Sequence, residues 1–111
     1  MDLSWQDFEK VEMRVGTITE VKEFPEARKP AFQLKIDFGE QIGFRKSSAQ
    51  ITSRYKMEDL KNKQIIAVVN FPKKQIANFM SECLVLGAVG KQDDIVLLEP
   101  GFKVKNGLRV G

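Results

Sequence analysis

Residues 31–38, AFQLKIDF, set Phe32, Leu34, Ile36 and Phe38 in strict alternation with Gln33, Lys35 and Asp37. A period of two over seven residues describes a strand with one face in a core and one in water. Phe38-Gly39-Glu40 turns the chain, and residues 41–51, QIGFRKSSAQI, continue the pattern through Ile42 and Phe44. The two segments read as an antiparallel hairpin, with Phe44 expected in its core.

Working outward, Val11, Met13 and Val15 alternate with polar residues before Gly16 breaks the run, and Ile18 and Val21 resume it out of phase. A glycine inside a strand predicts a bulge or a sharp bend there. Ser4, with Asp7 three residues on, is a capping-box-like start for a short helix. Residues 52–63 are polar and helix-compatible, anchored by Tyr55 and Leu60. QIIAVVNF (64–71), ECLVLGAV (82–89) and IVLLEP (95–100) are apolar strand candidates, the last two joined by a turn at Gln92-Asp93-Asp94. Near the end, Asn106-Gly107 is a strong turn dipeptide.

This gives five core strands with one helix between the third and fourth. The expectation is a mainly β protein: a five-stranded OB-fold barrel with short helices and N- and C-terminal extensions. An SH3-like barrel or a sandwich fits the strand pattern almost as well.

Composition narrows the chemistry. The 111 residues are expected to form one domain over 1–111, with 42% hydrophobic and 30% charged residues. No apolar run approaches the ~20 residues of a membrane span, so no membrane insertion is expected. The acidic, polar start MDLSWQDFEK lacks the features of a secretory signal, and the expected compartment is the cytoplasm. The single cysteine, Cys83, rules out an intramolecular disulfide and reads as a small buried side chain. With no histidine, there is no Ser-His-Asp or Cys-His pair and no histidine metal site. The expectation is a protein that is not an enzyme and needs no cofactor.

The net charge of +3 permits an anionic partner without demanding one. On an OB layout the loop EFPEARKP (23–30), the FRKSSAQI strand and the segment NFPKKQIANFM (70–80) gather at one rim. They bring Arg28, Lys29, Arg45, Lys46, Lys73 and Lys74 beside several phenylalanines. Cations neutralise phosphates, and aromatic faces stack exposed bases. The candidate RNA-binding residues are therefore these six, with Asn70 and Ser81 assisting. Ser81 and Glu82 have an alternative role, satisfying backbone groups where the loop re-enters a strand. The competing reading is protein binding. Phe71, Ile76, Phe79 and Met80 lie close together on a segment expected to be non-strand, and they are candidates for a peptide-binding pocket. Core packing is the third reading of the same residues.

Five blocks carry a family resemblance: FEKVEMRVGTI, FPEARKPAFQLKIDFG, IGFRKSSAQIT, VVNFPKKQIANFMSE and the ending PGFKVKNGLRV. In that order, from about Phe8 to Val110, they resemble the tRNA-binding domain of the CsaA family, which is shared by the C-terminal extensions of some methionyl-tRNA synthetases. The resemblance implies an OB-type barrel and a homodimer built from the terminal additions. It also implies a chaperone for unfolded or precursor polypeptides in protein export, with tRNA as an alternative ligand. Where the wider family usually has a glycine, this chain has Cys83 or Ala77, and its basic loop is reduced to Lys73-Lys74.

Overall fold

The computed structural model describes all 111 residues. In chain order the elements are helix α1 (Trp5–Glu9), strands β1 (Met13–Glu23), β2 (Phe32–Asp37) and β3 (Phe44–Ala49), and helix α2 (Met57–Leu60). Strands β4 (Gln64–Val68), β5 (Lys74–Ile76), β6 (Phe79–Ser81), β7 (Leu84–Val85), β8 (Gly87–Val89), β9 (Ile95–Leu97) and β10 (Arg109–Val110) follow.

The Ser4 side chain accepts a hydrogen bond from the Asp7 amide at 3.0 Å, which starts α1 where the capping pattern placed it. Strand β1 is long and serves two neighbours. Its first part, Met13 to Thr17, pairs with β4, and Thr17 to Glu23 pairs with β2. The register slips between Ile18 and Glu20, so the bulge lies there and not at Gly16. Gly16 has a different task. A Cβ there would sit 2.7 Å from Ile36 Cγ2 and from the Phe38 ring, so only glycine lets the core pack this close to β1.

The main sheet runs β3-β2-β1-β4-β7, all antiparallel, and forms a nearly closed five-stranded OB-type barrel. Closure occurs between β3 and residues 81–83. The Glu82 amide donates to the Lys46 carbonyl at 2.7 Å, and the Ser47 hydroxyl donates to the Cys83 carbonyl at 3.0 Å. Ser47 is the one buried polar residue, and that bond satisfies its hydroxyl.

The core holds Ile18, Leu34, Ile36, Phe38, Leu60 and Ile65, each almost fully buried. The expected anchor Leu60 is among them, although α2 is a single turn rather than a helix over residues 52–63. The other anchor, Tyr55, packs on the core and accepts the Leu97 amide on its hydroxyl at 3.0 Å.

Three expectations need correction. Phe44 points outward and is 55% exposed. The alternation carries across the turn to Arg45, Ser47 and Ala49, so its neighbours, not Phe44, face the barrel. Residues 74–81 are not an irregular loop but the hairpin β5–β6, turning through Ala77 and Asn78. The apolar run 82–89 breaks into β7 and β8, and β8 pairs with β9 as a small separate sheet.

The C-terminal extension returns to the barrel. Val15 and residues 107–108 exchange backbone bonds of 2.7 and 3.0 Å, and β10 lies beside the start of β1. Gly39 and Gly107, with φ of +89° and +94°, let two turns touch backbone to backbone.

Candidate functional site

The hairpin β5–β6 organises the site. It stands at the open edge of β3, where the segment after it closes the barrel. Lys74, Ile76, Phe79 and Ser81 are paired positions on one of its faces, and Gln75 and Met80 occupy the other.

Beneath the first face lies a groove of about 450 Å³ lined mostly by apolar side chains. Phe71, Pro72 and Ile76 form one wall, and Cys83, Leu84 and Val85 form the floor. Lys74 stands at its lip. Three clefts are larger: two, of about 690 and 620 Å³, are lined mainly by polar and charged side chains, and one of about 500 Å³ lies between the N-terminal helix and the C-terminal strand. Small-molecule and peptide sites are mostly apolar with a few polar groups, so character outweighs size here.

Of the four residues expected to contact peptide, Phe71 and Ile76 line this groove, and Phe79 and Met80 do not. Phe79 sits at the hairpin tip, its ring 5.4 Å from the buried Phe24 ring and tilted 58° to it. That contact fastens the β1–β2 loop to the hairpin. Met80 is exposed on the opposite face.

The basic residues are spread around the rim in unequal states. Arg28, Lys29, Lys46 and Lys74 are exposed. Lys46 extends its ammonium over the Phe79 ring at 5.2 Å. Lys73 lies 3.5 Å from the Glu82 carboxylate. Arg45 turns inward and donates to the Val69 carbonyl at 3.1 Å. Asn70 joins the N-terminal segment to the barrel: its amide oxygen accepts the Glu12 N–H at 3.1 Å, and its amide nitrogen donates to the Lys10 carbonyl at 2.6 Å. The Ser81 hydroxyl accepts the Ser48 amide at 3.3 Å and donates to the Cys83 carbonyl at 3.4 Å.

Glu82 completes the closure by accepting the Lys46 amide at 2.9 Å. Ser81 and Glu82 thus cap the edge of β3 with side chains where a partner strand would use backbone. Burial pushes the Cys83 thiol up to about 12, with the Ser47 hydrogen bond opposing only part of that shift. The thiol is a neutral part of the groove's floor and not a nucleophile. No group of three or more Cys, Asp or Glu side chains is placed to hold a metal ion.

The barrel, its side-chain closure and the hairpin have close counterparts among known proteins. Residues 13–109 match the family described as "Putative tRNA binding domain". The crystal structure of the chaperone CsaA from Bacillus anthracis superposes with a TM-score of 0.95 at 50% identity, covering all of both chains. The chain belongs to the CsaA family. The CsaA chaperone protein of Picrophilus torridus agrees, with a TM-score of 0.92 and 52% identity over 99% of this chain and all of that one. Methionine–tRNA ligase of Pyrococcus horikoshii is 35% identical over 108 residues, 97% of this chain. The chain spans only 14% of that ligase, so the likeness is to one domain of it. The structures that this chain matches over their whole length are thus those of CsaA chaperones.

The strongest signal missed in the sequence is Leu84 and Val85, which read as plain core strand and in fact floor the groove. Leu84 is 48% exposed, and in the sequence nothing separates it from the buried residues beside it.

Proposed function

We propose that this protein is a homodimeric chaperone that holds apolar side chains of unfolded or precursor polypeptides in the groove beneath β5–β6, in the cytoplasm and ahead of export. The observation that carries this reading is the groove itself. It is an open apolar slot walled by Phe71 and Ile76, in a chain whose full-length relatives are chaperones. Such a slot accepts many side chains and demands little of their sequence.

The dimer has separate support. Trp5 is 82% exposed and Leu3 72%, both on the N-terminal addition. Trp5, Phe8, Val11 and Val110 share one cleft between that addition and the C-terminal strand. Aromatic side chains left this open are expected at an interface. Sedimentation at micromolar concentration is expected to give twice the chain mass, and a monomer would remove this part of the proposal.

A second reading, binding of tRNA or another RNA, is favoured by the family match and by the exposed Arg28, Lys29, Lys46 and Lys74. Salt separates the two. Phosphate contacts release counterions, so RNA affinity is expected to fall steeply between about 50 and 200 mM salt. Apolar burial in the groove is expected to change little over that range. A steep salt dependence for an unfolded polypeptide would count against the groove.

A further inference from the structure

We propose that Asn106 is a modification site gated by the fold. Its side-chain amide is lost by deamidation when the C-terminal extension lifts from β1, and the isoaspartyl product keeps the extension from returning.

Asn106 is the one asparagine of the chain that a glycine follows; Asn62, Asn70 and Asn78 precede Lys63, Phe71 and Phe79. In deamidation the backbone nitrogen of the next residue attacks the asparagine Cγ. The new N–C bond forms, the Cγ–Nδ2 bond breaks, and ammonia leaves behind a five-membered succinimide. Water then opens the ring at one carbonyl or the other, giving aspartate or isoaspartate. The step needs the attacking nitrogen free to shed its proton and the asparagine side chain free to swing over it. Glycine has no side chain in the way, so Asn-Gly is the pair that meets these needs most easily in an open chain.

The folded chain withholds both freedoms. The Gly107 N–H donates to the Val15 carbonyl at 2.7 Å, and the Gly107 carbonyl accepts the Arg14 guanidinium at 3.0 Å. The Asn106 side-chain oxygen accepts the Thr17 hydroxyl at 2.7 Å and the Gln64 amide at 3.0 Å. Residue 106 is thus tied to β1 and β4, and the nitrogen beside it is already bonded. The extension as a whole is held less firmly. Its strand β10 has two residues, and Arg109 stands opposite Arg14 in the register. Like charges so placed repel. A short terminal strand of this kind opens at a lower cost than the barrel.

The two products differ in what they allow. Aspartate at 106 keeps an oxygen for Thr17 and Gln64, so the extension can dock again. Isoaspartate routes the main chain through its own Cβ and Cγ and adds one carbon just before the Gly107 nitrogen. There is no slack at that point. A Cβ on Gly107 would lie 2.5 Å from the Phe38 carbonyl oxygen, and one on Gly39 would lie 2.7 Å from the Asn106 carbonyl oxygen. The longer chain cannot keep the bond to Val15 and the register of β10 together. The cleft that Trp5 and Phe8 share with Val110 then loses one wall.

The test incubates the full chain at mildly alkaline pH, folded and in guanidinium chloride, and follows each asparagine by peptide mass spectrometry. Asn106 is expected to convert first in the unfolded chain, and at least about tenfold more slowly in the folded one. Thr17→Val keeps the shape of the side chain and removes its hydroxyl. It is expected to speed conversion in the folded chain by about 2- to 10-fold, the loss of one hydrogen bond, and to change nothing in guanidinium. Hydrogen exchange of the purified products completes the test, with the Gly107 amide protected in the aspartyl form and open in the isoaspartyl form. Equal rates in folded and unfolded chains, or an unaltered rate in folded Thr17→Val, would overturn the gating. Faster conversion at Asn62, Asn70 or Asn78 in guanidinium would overturn the site. A protected Gly107 amide in the isoaspartyl form would show that the extension returns, against the proposal.

Discussion

Ser81, Asn70 and Arg45 show how a residue's chemistry and its task can part. All three are polar types that suit RNA, and all three have hydrogen bonds to the protein's own backbone. Nothing in a linear sequence distinguishes an amide that bonds a distant backbone group from one that awaits a ligand. Asn70 reaches across 60 residues to Lys10. Cys83 was more legible, because a lone cysteine amid aliphatic residues is usually buried. Its thiol is expected to resist an alkylating reagent at pH 8 in the folded protein and to react once denaturant is added. Rapid full labelling of the native chain would contradict the burial. The sign of the pH effect follows from the same shift. Between about 9 and about 12 the unfolded chain releases this proton while the folded chain keeps it, so stability falls as pH rises through that window.

At the scale of elements, the barrel strands were readable because their alternation is long and regular, as in Phe32 to Phe38. The hairpin β5–β6 was not. Its turn uses Ala77 at φ +51°, a conformation that glycine or asparagine adopts more easily. The sequence around it carries none of the usual turn dipeptides. Ala77→Gly is therefore expected to stabilise the protein by about 0.5–1 kcal/mol, seen as a higher denaturation midpoint. An unchanged or lower midpoint would mean that the turn is not strained. The break at Leu86 was also invisible, since an apolar run looks the same whether or not the strand changes sheets. The edge of β3 gives a second prediction. Glu82→Ala removes the acceptor of the Lys46 amide and is expected to cost about 1 kcal/mol, whereas Glu82→Gln keeps an acceptor and should cost less. Equal losses in a melting experiment would assign the effect to the Lys73 ion pair instead. That outcome runs against the small contribution of exposed pairs.

For the whole molecule, the hairpin separates two kinds of surface. On the groove side lie Phe71, Ile76, Leu84 and Val85. On the β2–β3 side lie Lys35, Phe44 and Lys46, with Phe79 at the boundary. Sequence placed the lysines and phenylalanines of residues 70–80 at one rim and left their partners open. The fold assigns Phe79 and Phe71 to different surroundings: Phe71 precedes the hairpin and lines the groove, whereas Phe79, beyond the turn, packs against Phe24 and Lys46. A dimer would present both surfaces twice, and two linked sites raise avidity for a long flexible ligand without any new contact. Above all, the proposed function requires the apolar groove to hold unfolded polypeptide. The affinity for a chemically unfolded, fluorescently labelled protein tests this, comparing the unaltered chain with Ile76→Asp combined with Phe71→Ser. At least a tenfold loss is expected, the equivalent of about 1.4 kcal/mol, with the fold preserved and the weaker affinity unchanged by salt. Equal affinity in a variant that melts normally would contradict the groove as the binding site.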